Sequence, residues 1–342
     1  MCGLLLSACT SSSSNIEAEV LLSADDSVTG SPLETSEKVT DTVSVIDPTS
    51  IPIGDGRTVT EVPSEKGYLY VCRIVTGGGG GFAAPWINGD SWDLTKKVTV
   101  SGENFFSNAS HSFNTNDGQR IIATNGLPSD TAVGNFPVSS TDEAYSYDRN
   151  PNSVLEQSVT VTVPGMPSLA GAPSCTGMGA IGYALNGVAI FNAVDAENRD
   201  AVAHEVQDVC DGHPEKSGTY HYHNGSTCLT SEVVAGGSKL IGYALDGFGI
   251  YVEKDAQGHL KTNADLDVCH GRTSKVLWNG VVQEIYHYSV TLEFPYTVGC
   301  FMGTPTKTVG QGPSIGEPHL DGSVNKRPRP NEGNMPLPGG RP

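Results

Sequence analysis

The residues best suited by type and spacing to do chemistry lie near the middle of the chain. Tyr220-His221-Tyr222-His223 sits within GTYHYHNGSTC, with its two histidines two positions apart. In an extended strand, residues i and i+2 project from one face. His221 and His223 would then stand side by side, with Tyr220 and Tyr222 on the other face. At a rise of about 3.3 Å per residue their Cα atoms would be about 7 Å apart, close enough to chelate one ion. Neutral imidazole suits Zn, Cu, Ni and Fe, and Cu or Zn is the expected ion. The segment HEVQDVCDGHP supplies further donors in His204, Asp208, Asp211 and His213. The competing reading is a half-buried strand whose imidazoles are satisfied by backbone carbonyls or by a carboxylate such as Asp211.

Other catalytic patterns are sparse. There is no Gly-x-Ser-x-Gly elbow, no HExxH, no Walker motif and no GxGxxG after a strand. Ser217 and Ser226 lie near the histidines in sequence. They leave open an extracellular hydrolase in which a histidine is general base, aided by Asp208 or Asp211. A structural adhesion module is the third reading. The run GGGGG at 77–81 continues into FAAPWING rather than Gly-Lys-Ser/Thr, so it reads as a loop and not a phosphate cradle. His111, His259 and His319 read as solvated loop or tail residues.

An internal repeat organises the region that must position these side chains. IGYALNGVAIFN begins at Ile181 and IGYALDGFGIYV at Ile241. Each is followed by DVCDG (208–212) or DVCHG (267–271), then by GTYHYH (218–223) or EIYHYS (284–289). This order predicts a duplicated β-rich unit, about 181–228 and 241–300. The second copy keeps Tyr286, His287 and Tyr288 but has Ser289 for the second histidine, and His270 for Asp211. A site would therefore centre on the first copy, with His287 or His270 contributing across the pseudo-dyad. Asn186-Gly187 and Asp246-Gly247 read as tight hairpin turns with positive φ at both central residues. A calcium role for Asp246 is disfavoured, because no Asp-x-Asp-x-Asp-Gly array surrounds it.

Composition bounds the rest. The 342 residues include 41 Gly and 21 Pro, which favours turns and short strands over long helices. The formal net charge of −18 repels polyanions and excludes nucleic acid as a partner. GYLYVCRIV, KKVTVSG and SVTVTVP alternate as strands do, and HEVQDVC could form one helical turn or a loop. The fold expected is mainly β: one disulfide-stapled domain over 66–310, after a disordered tether at 10–65 and before a Pro/Gly-rich tail at 311–342.

Eight cysteines and the N-terminus point to export. Leu6-Ser7-Ala8-Cys9 resembles a lipobox, which makes 1–9 a lipoprotein signal peptide and Cys9 the lipidation site. No Lys or Arg precedes Cys9, and the expectation is that the true signal starts further upstream. Thr10 after the cysteine favours the outer membrane within a bacterial cell envelope; secretion is the alternative. The lipid anchor would be the sole membrane contact. Six cysteines remain for three disulfides in an oxidising compartment. Repeat symmetry pairs Cys210 with Cys228 and Cys269 with Cys300, leaving Cys72 with Cys175.

Together, GTYHYH, IGYALDGFGIY, DVCDG, NGLPSDTAVGNFP (125–137) and YDRNPNS (147–153) resemble the YHYH domain family. The resemblance covers about 83–305 and implies a single exported or lipid-anchored domain. It marks His221, Tyr222 and His223 as the functional motif. The family's biochemical role is not established, so the resemblance implies no particular reaction. The partner expected from the residues is a metal ion or small ligand.

Overall fold

The structure is a computed structural model that describes residues 45–77, 81, 84–129 and 132–306. The expected signal peptide, Cys9, residues 311–342 and most of the tether and the glycine run lie outside these residues. The described chain is mainly β. Five two-residue strands come first: β1 (Ile51–Pro52), β2 (Thr58–Val59), β3 (Leu69–Tyr70), β4 (Ile87–Asn88) and β5 (Ser91–Trp92). Next come β6 (His111–Asn116), β7 (Gln119–Thr124) and β8 (Val159–Pro164), which form a three-stranded antiparallel sheet.

The large sheet has eight strands. Its first four are β9 (Ala180–Ala184), β10 (Ala189–Phe191), β11 (Gly212–Pro214) and β12 (Tyr220–Tyr222). Its last four are β13 (Ser238–Ala244), β14 (Gly249–Glu253), β15 (Gly271–Trp278) and β16 (Val281–Ser289). The order across the sheet is β11-β12-β10-β9-β13-β14-β16-β15. It is mirrored about the central β9–β13 pair, where Tyr183 faces Tyr243. On each side lie one antiparallel hairpin, one parallel neighbour (β10–β12 or β14–β16) and one antiparallel edge pair.

The three-stranded sheet packs on this one. Ile122, Val161 and Val163 share a core with Tyr183, Ile190 and Tyr243. Arg120 is covered by the rings of Tyr243 and Trp278, with its guanidinium carbon 3.9 and 5.4 Å from their centroids. A second apolar cluster holds Ile51, Leu69, Trp86, Trp92 and Phe294.

Three sequence expectations change. The tether was expected to reach residue 65, but Ile51 and Ile53 bury in the second core and β1 pairs with β5. These two apolar side chains outweigh the polar composition around them. KKVTVSG is not a strand. Its first residue closes a 3-10 turn (Leu94–Lys96), and the Lys97 ammonium turns inward to the Val202 carbonyl and the Gln207 side chain. In the hairpin turns only the glycines have positive φ, Gly187 at +87° and Gly247 at +90°. Asn186 and Asp246 are instead drawn into hydrogen bonds with Tyr222 and Tyr288.

Disulfides join Cys72–Cys175, Cys210–Cys228 and Cys269–Cys300, the pairs the repeat implies. No helix among the described residues is long and apolar enough to cross a membrane.

Candidate metal centre

Strand register assembles the site. On β11, His213 lies directly opposite His221 of β12. His223 follows two residues after His221, just past the end of β12, and so continues the same face. Tyr220 and Tyr222 point to the other face, as alternation requires. There the Tyr220 hydroxyl donates to both oxygens of Asp208, at 3.0 and 2.8 Å. Asn186 Nδ2 donates to the Tyr222 hydroxyl at 3.0 Å. The tyrosines anchor one face of the strand and leave the imidazoles on the other.

One nitrogen from each of His213, His221 and His223 lies within 4.8 Å of the other two, and all three residues are buried. Their protonation follows from their partners. His221 Nδ1 donates to the Thr219 carbonyl at 3.0 Å, and His223 Nδ1 donates to the Asn192 carbonyl at 2.5 Å. A neutral imidazole carries one N–H. Both Nε2 atoms therefore present lone pairs, yet they face each other at 3.1 Å. Two acceptors at that distance repel unless a proton or a cation lies between them. Burial disfavours the proton: it pushes His223 down to about 4 and His221 and His213 well below the ordinary imidazole range. Neither ring nitrogen of His213 has a hydrogen-bond partner. Nδ1–H held by a carbonyl, with Nε2 free, is the arrangement of a metal-ligating histidine.

Sequence reasoning missed Glu205. Its Oε2 lies 3.5 Å from His213 Nε2 and 3.4 Å from His223 Nε2. The same oxygen is buried without a hydrogen-bond partner. Burial, reinforced by the charges of Asp195 and Asp148, raises its carboxyl well above the usual range. Glu205 caps the C-terminus of the short helix Ala201–His204 and opens the loop that leads into β11. A Glu beside His204, in a segment already rich in donors, was the available signal. Phe191 stacks on the His221 ring at 3.9 Å between centroids and fixes its plane.

The other expected ligands go elsewhere. Asp208 lies on the tyrosine face and also accepts from the backbone N–H groups of Gly134, Cys210 and Gly212. Asp211 caps the helical turn Thr227–Thr230 by accepting from Thr227 N at 2.7 Å, with its own φ at +64°. His204 pairs with Asp55 at 2.8 Å. Across the sheet, His287 and His270 are also occupied: His287 by Glu253, and His270 by the Thr297 carbonyl and the Thr291 hydroxyl. Ser226 donates to the Cys210 carbonyl, and Ser217 is exposed at the rim of the cavity described next.

The imidazoles open onto a cavity of about 1060 Å³. Three imidazoles that border a cavity could leave a position on an ion open to a further donor. The fold and site thus define a disulfide-stapled β protein with a buried three-imidazole, one-carboxylate cluster. The family model described as YHYH protein matches residues 160–261. The match takes in β8 to β14 and all four cluster residues, but not the second tyrosine–histidine segment. No curated protein and no solved structure matches the chain.

Proposed function

We propose that this protein binds a transition-metal ion, Cu or Zn, through His213, His221 and His223, with Glu205 as the fourth protein donor. The observation that carries the reading is the 3.1 Å approach of two Nε2 atoms whose Nδ1 partners leave neither with a proton to share. A cation between the lone pairs turns this repulsion into coordination. Three imidazoles and a carboxylate form a borderline donor set suited to Zn or Cu rather than to Ca or Mg. The adhesion-module reading would need the histidines to be buried and fully satisfied, and His213 has no hydrogen-bond partner at either nitrogen. The serine hydrolase reading gains no support from Ser226, whose hydroxyl donates to a backbone carbonyl.

The proposal extends to cell location and origin. Three disulfides support an oxidising compartment, and the lipobox-like LSAC supports a cell-envelope lipoprotein anchored through Cys9. The mirrored strand order supports a duplicated unit, with the donor set kept in the first copy.

Metal content of untagged protein tests the centre. Wild type should hold about one equivalent of Zn or Cu after loading and desalting, and a His221→Ala/His223→Ala variant should hold none. Wild type that retains neither metal would end this reading.

A further inference from the structure

A purely structural metal needs no access, yet this cluster lies against a cavity of about 1060 Å³. That is at the upper end of the size range for small-molecule sites. Charge within it is uneven. The protein is strongly acidic overall, but Arg73, Arg149 and Lys216 all line this cavity. Arg73 and Lys216 are exposed at its edge, and no hydrogen bond or ion pair holds either side chain among the described residues. Arg149 is held over the Tyr145 ring at 5.2 Å.

The carboxylates in the wall are committed elsewhere. Asp148 accepts from the backbone N–H groups of Val206 and Asn150, both at 3.0 Å. Asp195 is paired with Arg199 at 2.6 Å. Glu215 accepts from Ser217 N and Thr219 N. Arg73 and Lys216 thus stand at the mouth without a partner among the described residues, above a cation-seeking floor.

One wall group is unspent as well. Tyr183 lines the cavity, is 1% exposed, and its hydroxyl has no hydrogen-bond partner. Burial pushes it up to about 12, so it stays a donor at neutral pH. Register places it in the row of the metal cluster: Tyr183 faces Ala189, and Ala189 faces His221. At about 4.8 Å per strand, Tyr183 and His221 are about 10 Å apart at Cα. The small Ala189 side chain between them leaves that row open.

Resting on the metal reading above, we propose that the cavity binds a small organic dianion, in its simplest form a dicarboxylate. One carboxylate would bind the metal as a fifth donor, beside the three imidazoles and Glu205. The other would accept from Tyr183, and entry would pass Arg73 and Lys216.

Titration calorimetry of zinc-loaded protein with malonate, glutarate and pimelate tests this, with zinc measured separately in every sample. One chain length should bind best, and only when zinc is present. Tyr183→Phe should weaken it about tenfold, the worth of one buried hydrogen bond. Arg73→Gln/Lys216→Gln should weaken it several-fold and flatten its salt dependence. Zinc stoichiometry should not change in either variant. Zinc bound with no dicarboxylate binding, or binding that neither variant alters, overturns the proposal and leaves the metal reading standing. Wild type that holds neither zinc nor copper defeats the metal reading itself, and the proposal with it; a centre that holds only copper is titrated in its copper-loaded form, with the same outcomes expected.

Discussion

His287 Nε2 meets the carboxylate of Glu253 at 3.2 Å, in the strand that answers β12 on the other side of the sheet. His287 and His221 hold the same place in the two tyrosine–histidine segments. Both rest Nδ1 on the carbonyl two residues back, Ile285 or Thr219, at 3.0 Å. The rings differ in what meets Nε2. His287 finds a carboxylate that also accepts from Ser289 at 2.5 Å, and the pocket is neutralised from within. His221 finds a second imidazole. One half of the sheet carries a self-satisfied polar cluster, and the other carries two imidazoles whose Nε2 atoms face each other at 3.1 Å.

Glu253 therefore supplies acid-sensitive stability. Burial opposes its ionisation, but the hydrogen bond and charge of His287 outweigh that and hold it down to about 2. A depressed carboxylate contributes stability that is present above its unfolded value, near 4.5, and lost as pH falls through about 2. The shift is worth about 3 kcal/mol at neutral pH. The difference in unfolding free energy between wild type and Glu253→Gln should be of that order at pH 7 and shrink between pH 4.5 and 2. A difference that stays constant with pH would assign the cost to packing.

Glu205→Gln should move two properties in opposite directions. Without metal, Glu205 places a buried carboxylate oxygen with no hydrogen-bond donor beside the imidazoles. Removing that carboxyl should raise the melting temperature of metal-free protein at pH 8, because an acid whose ionised form is disfavoured by burial and by Asp195 and Asp148 destabilises the fold above its unfolded value. The same substitution removes an anionic donor, and Zn affinity should fall about 10- to 100-fold. A fall in both would make Glu205 a structural residue alone.

Asp208 and His204 separate proximity in sequence from coordination. Asp208→Asn should cost about 1–3 kcal/mol, since an amide places a donor where backbone N–H groups and the Tyr220 hydroxyl require an acceptor. His204→Ala removes only a partly exposed pair with Asp55 and should cost at most about 1 kcal/mol. Elemental analysis should find full zinc occupancy in both folded variants. Loss of zinc from either would return it to the ligand set.

The sequence carried the site's core because it is local. Period-2 alternation placed His221 and His223 together and the tyrosines opposite, and the repeat selected the three disulfide pairs. The choice among Asp208, Asp211, His204 and His213 was not legible, because it depends on how the chain turns between α1 (Ala201–His204) and β11. Asp211 at positive φ and Asp208 beneath Tyr220 are drawn away by bonds to backbone N–H groups that no pattern in the sequence announces. Glu205 was hidden for the same reason. β3 falls within GYLYVCRIV, but β1, β2, β4 and β5 escaped notice because they are two residues long, too short for periodicity to register. That region is held by single large side chains such as Trp86 and Trp92.

The Cys210–Cys228 bridge offers a test of how β11 is held. It closes an 18-residue separation spanning both His213 and the YHYH segment. Cys269–Cys300 closes 31 residues around the second segment, which lies outside the proposed metal centre. Loop-closure entropy makes each worth about 3–4 kcal/mol, with the longer loop worth slightly more. Cys210→Ser/Cys228→Ser and Cys269→Ser/Cys300→Ser should thus lose comparable stability in denaturant titrations. Their zinc affinities should diverge. Releasing Cys210 loosens the turn that sets His213 opposite His221, so affinity should fall about tenfold or more, while releasing Cys269 should leave it unchanged. Equal losses of affinity would mean that the staples act through global stability and not through the position of His213.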